Sequence, residues 1–220
     1  MNSARTLGGR LRKEVASVFV CDVQERFRDV IHGMPCVIDT TSRMVRTANA
    51  LNMPVITTEQ YPKGLGKTVE ELQAIIDPKY VFEKTKFSMW TKEVEEAYNK
   101  QFDLYGSGAS GLGQVLLCGI ETHVCIFQTA LDLLERGVEV HVVVDGVSSQ
   151  RPGDRSVAVQ RLAQAGAWLC TSEMAMFQLV GDAKAPGFKE VSAIAKEKRP
   201  EQFPSFLGGV VSPALQSSPL

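Results

Sequence analysis

Residues 114–137 read QVLLCGIETHVCIFQTALDLLERG, a strand, a sharp turn and a helix in one stretch. QVLLCGI (114–120) is almost continuously apolar, as a strand buried on both faces must be. After it, Val124, Phe127, Leu131 and Leu134 recur at helical spacing, with Thr122 placed as N-cap and Gly137 as terminator. Cys125 falls in the first helical turn. Unpaired backbone N–H groups and the positive end of the macrodipole stabilise a thiolate there. A structural cysteine has no need of that location, whereas a nucleophilic one benefits from it.

The same alternation extends in both directions. Further strand runs are VASVFVCD (15–22), PVITTE (54–59), YVFEK (80–84), VEVHVVVD (138–145) and AWLCT (167–171). Helical patterns occupy 36–52, 68–76, 91–102, 153–166, 172–180 and 187–198. Strands alternating with helices predict a three-layer α/β/α fold around a doubly wound, six-stranded parallel sheet. One domain is expected over 15–198, after a flexible basic segment at 1–14. Periodicity ends at Arg199, where Pro, Ser and Gly take over, so 199–220 is expected to be a mobile tail.

Composition narrows the function. A formal net charge of −1 gives no electrostatic footprint for nucleic acid or an anionic membrane. No apolar run approaches the roughly 18 residues that span a bilayer. The five cysteines form no close pairs and no CxxC, a pattern of reducing compartments that points to the cytoplasm. Arg5, Arg10, Arg12 and Lys13 precede the first acid, Glu14, and leave mitochondrial targeting as the alternative.

Two motifs mislead. GSGASG (106–111) satisfies GxGxxG but precedes a strand instead of following one, so it reads as a connector. Gly66-Lys67-Thr68 follows a strand and opens a helix, like a phosphate loop. The glycine needed five residues earlier is Tyr61, however, and Thr68 reads more simply as a helix N-cap.

In a doubly wound sheet, functional groups collect beyond the carboxyl ends of the strands. Those ends supply Asp22, Lys84, Cys125 and Asp145. Asp22 and Cys125 follow the first and fourth strands, which usually flank the topological switch point. A carboxylate to take the thiol proton, a thiolate to attack and a cation for developing charge make a nucleophilic site. Asp145 reads as a structural cap, and His123 as a solvated or capping group near the nucleophile. Gln24, Phe27, Tyr61 and Trp90 are candidates to line a small substrate pocket.

Three motifs in order resemble those of the isochorismatase-like cysteine hydrolase family. They are Asp22-Val-Gln24-Glu-Arg-Phe27, Lys84-Thr-Lys-Phe-Ser88 and Gly119-Ile-Glu-Thr122-His-Val-Cys125. The likeness covers about 15–182, and TEQYPKGLG (58–66) resembles the isochorismatase domain-containing protein 2 subgroup. The resemblance implies a Cys125–Asp22–Lys84 triad and a cis peptide at Ile120–Glu121. It also implies an oxyanion hole built from that turn, with amides of Glu121 and Cys125 as donors. Relatives with the cysteine hydrolyse C–N bonds of small amides or carbamoyl compounds, and relatives commonly form dimers or tetramers. The histidine-containing metal motif of the nicotinamidase branch is missing, since Thr57-Thr58-Glu59-Gln60-Tyr61 stands in its place. No cofactor or metal is therefore expected. The alternatives are a non-catalytic interaction protein, or a nuclease, as some relatives have been labelled; charge and motif content argue against the latter.

Overall fold

The computed structural model describes residues 9–104, 113–203 and 206. Six strands form one all-parallel sheet: β1 (Ala16–Cys21), β2 (Val55–Gln60), β3 (Val81–Lys84), β4 (Gln114–Ile120), β5 (Glu139–Ser148) and β6 (Trp168–Cys170). Their order across the sheet is β3-β2-β1-β4-β5-β6. The order reverses between β1 and β4, which are therefore neighbours at the switch point, with Cys21 opposite Gly119.

The crossovers are α1 (Met34–Ala50), the short α2 (Pro62–Leu65) and α3 (Glu70–Gln73), α4 (Lys92–Leu104), α5 (Phe127–Glu135) and α6 (Pro152–Gln164), while α7 (Ser172–Val180) and α8 (Phe188–Lys196) follow β6. Alternate residues of each strand face opposite layers. Val18 and Val20 pack with Val37, Met44, Leu179 and Val191 of α1, α7 and α8. Phe19 packs with Val94, Leu133 and Leu162 of α4, α5 and α6. Burial on both faces explains why the strands read as apolar runs without alternation.

Several boundaries differ from the sequence reading. β5 runs three residues beyond Asp145, to Ser148. The helix expected over 68–76 shrinks to Glu70–Gln73, because Thr68 does not cap it. Instead the Thr68 amide and hydroxyl both donate to Glu59 Oε1, at 2.7 and 2.9 Å. The described residues of both end segments pack against the domain. Leu11 is buried, and the Gln114 carboxamide accepts from the Arg12 amide (2.8 Å) and donates to the Arg10 carbonyl (2.8 Å). Arg199 bonds Asp39, Thr40 and Ser172, and Phe206 is buried beneath the Arg155 guanidinium. The folded body thus extends past 198 and begins before 15. The GSGASG stretch lies outside the described residues.

Candidate active site

β1 ends in Cys21, and the chain turns at once: Asp22 takes a left-handed φ of 56°. Aspartate tolerates that conformation better than most residues. The turn passes close under β4, where a Cβ on Gly119 (φ 135°) would lie 2.1 Å from the Cys21 carbonyl oxygen. Only glycine fits there, and its absence of side chain lets the ends of β1 and β4 converge.

Lys84 closes β3 and reaches across β2. Its Nζ donates to Asp22 Oδ2 at 2.7 Å, with the two side chains 0% and 2% exposed. It also donates to Gln60 Oε1 (2.7 Å) and to the carbonyls of Phe87 (3.0 Å) and Lys86 (3.2 Å). Burial alone would lower the Lys84 pKa, but the facing Cys21, Asp22 and Cys125 outweigh it, and the value stands above that of an ordinary lysine. Lys84 is thus a fixed ammonium. Asp22 Oδ1 accepts from the Thr58 hydroxyl at 2.8 Å, and Oδ2 from the Cys21 thiol at 3.5 Å. Burial, then a hydrogen bond with Cys125 and the charge of Asp22, push the Cys21 thiol well up. Cys21 therefore favours the protonated thiol.

Cys125 sits in a π-helical turn, Thr122–Ile126, that precedes α5. Such turns concentrate at functional sites. Two features of the sequence reading are corrected here. The Ile120–Glu121 peptide is trans, since the described residues contain no cis bond; Glu121 makes the reversal with φ 54° and ψ 64°. Thr122 is not the cap: its hydroxyl has no hydrogen-bond partner, and the Val124 and Ile126 amides donate to the Glu121 carbonyl.

A cavity of about 670 Å³ opens over this turn, with Cys125, Phe27, Tyr61, Phe87 and His123 among its walls. Gln24 and Trp90, expected in the pocket, are elsewhere. Gln24 is fully buried, and its carboxamide clasps the backbone of the 60–66 loop: Oε1 accepts from the Gln60 amide (2.7 Å), while Nε2 donates to the carbonyls of Gln60 (3.0 Å) and Gly66 (2.6 Å). Trp90 packs on Phe19 and Tyr98 in the core. Asp145 lies on the other side of the sheet and caps α7 through the Ser172 amide and hydroxyl (2.7 and 2.6 Å).

Gln60, Thr58 and Cys21 were not foreseen as partners of the charged pair. They sit at the carboxyl ends of β1 and β2, so reading every strand-end residue, and not only the ionisable ones, would have found them. Among the described residues, no group of three or more His, Cys, Asp or Glu is arranged to hold a metal ion, and no helix is long and apolar enough to cross a membrane.

Residues 16–174 match the isochorismatase domain family. Isochorismatase domain-containing protein 2 of Xenopus laevis is 48% identical over 201 residues, 91% of this chain and 93% of that one. The secreted isochorismatase effector Isc1 of Phytophthora sojae is 45% identical over 90% of this chain and 92% of its own. Among solved structures, the MAR1 ribonuclease of Caenorhabditis elegans superposes with a TM-score of 0.78 at 43% identity, covering 87% of this chain and 95% of that one.

Proposed function

The chain belongs to the isochorismatase family of hydrolases, and we propose that it hydrolyses an amide or carbamoyl C–N bond of a small molecule through Cys125. The reading is carried by one observation: a fully buried Asp22–Lys84 pair at 2.7 Å interacts with a cysteine that borders an open cavity. Asp22 accepts the Cys125 proton, and the thiolate attacks the carbonyl carbon. Backbone amides of Glu121 and Cys125 hold the oxyanion. Lys84 pairs with Asp22 and offsets negative charge as the thiolate forms. When the C–N bond breaks, the Asp22 proton goes to the leaving nitrogen; water then cleaves the thioester and regenerates the thiol.

No metal or organic cofactor takes part in this scheme. Assembly as a homodimer or homotetramer, and a cytoplasmic location with mitochondria as the alternative, belong to the same proposal; sedimentation and cell fractionation check them. The chemistry is tested by screening small amides and ureides, with intact mass recorded during turnover. A Cys125-dependent acyl adduct is expected, and turnover that survives Cys125→Ala unchanged would refute the reading.

The name of the nematode relative favours a second reading, ribonuclease activity. The formal net charge of −1 offers little attraction for phosphates. RNA cleavage that disappears in both Cys125→Ala and Asp22→Asn would place that activity at this site; cleavage that persists in both would place it elsewhere.

A further inference from the structure

Hydrolysis through a thioester involves two proton abstractions in succession. The first takes the thiol proton, and the second takes a proton from the attacking water. Asp22 is suited to the first task. It is buried, and its oxygens are occupied by Thr58, Lys84 and Cys21. Water reaches the thioester from the cavity, and there a different group is placed to meet it.

His123 lies two residues before Cys125 and lines the same cavity. Its side chain is one-third exposed, at 34%. Nδ1 lies 3.0 Å from Ser149 Oγ and 3.2 Å from Glu121 Oε2, a buried carboxylate oxygen with no hydrogen bond of its own. The neighbouring carboxylate charge favours the tautomer with its proton on Nδ1, where Ser149 Oγ can accept it, and the lone pair on Nε2. The nearest acid to Nε2, Asp154, is 3.9 Å away, beyond hydrogen-bond reach. A base oriented on one nitrogen and open on the other is the arrangement general-base catalysis requires.

Resting on the cysteine-hydrolase reading, we propose that His123 is the general base of deacylation. Its Nε2 takes a proton from water as the water oxygen bonds to the acyl carbon. The C–S bond breaks, and the imidazolium returns that proton to the departing Cys125 thiolate. The products are a carboxylic acid and the free thiol, and no other reactant is consumed. Glu121 and Ser149 are positioning residues that hold the ring.

p-Nitrophenyl acetate separates the two half-reactions, because acylation releases p-nitrophenol before the acetyl group leaves. In His123→Gln the burst is expected to persist, while steady-state turnover falls on the order of 100-fold. Acetyl-Cys125 accumulates by intact mass, and added imidazole restores turnover. Thermal unfolding of the variant and turnover by Asp154→Asn are expected to match the parent. A burst and a steady rate that fall together, or a steady rate that does not fall, would overturn the role of His123. A parent protein without any Cys125-dependent burst would overturn the nucleophile reading, and the proposal with it.

Discussion

Two clusters of buried charge lie on opposite sides of the sheet, and they are built differently. At the switch point, Asp22 and Lys84 pair beneath a cavity, next to a thiol. Behind β5, Arg43 pairs with Asp39 (2.9 Å) and donates to the carbonyls of Ile194, Glu197 and Lys198, while Arg199 joins Asp39 to Asp145 and Ser172. The bonds of the second cluster tie α1 to α8 and the chain after it, and to β5 and α7, and none faces a cavity that holds a reactive group. Burial of charge is common to both. The first cluster differs in having a thiol at a cavity beside the charges, and in backbone strain around it. Among the described residues, four non-glycine positions have positive φ: Tyr61 and Glu121 line the cavity, Asp22 is in the buried pair, and Asn52 is elsewhere.

The contrast predicts opposite phenotypes. Arg43→Ala leaves Asp39 short of a partner and removes a donor from the carbonyls of Ile194, Glu197 and Lys198, and should cost about 3–5 kcal/mol of stability. In urea titrations the midpoint should drop, while Cys125 alkylation in the folded fraction keeps its parental rate. Lost alkylation in folded protein would mean that the two clusters are coupled. Gly119→Ala forces a Cβ into the Cys21 carbonyl at the site itself, and should destabilise by about 3 kcal/mol. Circular dichroism melting checks it, and a parental melting temperature would mean that β1 and β4 can separate freely.

A separate acid effect comes from a group outside both clusters. Burial lowers the His141 pKa from 6.5 to about 4. Below 6.5 the unfolded chain binds a proton that the folded chain refuses, so stability falls as pH drops from 6.5 towards 4, by roughly 3 kcal/mol. His141→Gln should flatten that slope in denaturant titrations taken across the range; an unchanged slope would assign the acid sensitivity to another group. Gln24→Ala should cost about 1–3 kcal/mol by leaving the 60–66 backbone unbonded, and should blunt Cys125 reactivity through Gln60 and Lys84. Exposed pairs form the baseline: Glu71→Gln, which removes one carboxylate partner of Arg28, should change stability by less than about 0.5 kcal/mol.

The fold was legible because parallel strands covered on both faces must be apolar throughout, and β1, β4 and β5 state this directly. Asp22, Lys84 and Cys125 were legible because each ends a strand or begins the helix after it. Gln24 and Trp90 were misread, since a carboxamide's partner 36 residues away and an aromatic ring's neighbours leave no local mark in the sequence. The same limit hid the docking of Arg199 and Phe206, whose partners are far away in the chain. The peptide bond at 120–121 was expected to be cis by likeness, and residue types alone do not distinguish it from a left-handed Glu121.

The five thiols offer the most direct test of the central claim. Burial raises the pKa of Cys21, Cys36, Cys118 and Cys170, the last to about 12, so these four stay protonated at neutral pH. Cys125 alone borders the cavity. Limiting iodoacetamide at neutral pH, followed by peptide mapping, should label Cys125 first, and Asp22→Asn should slow that labelling on the order of 100-fold. Labelling of Cys125 no faster than that of the four buried thiols, or at the same rate in Asp22→Asn, would contradict an activated nucleophile at this turn.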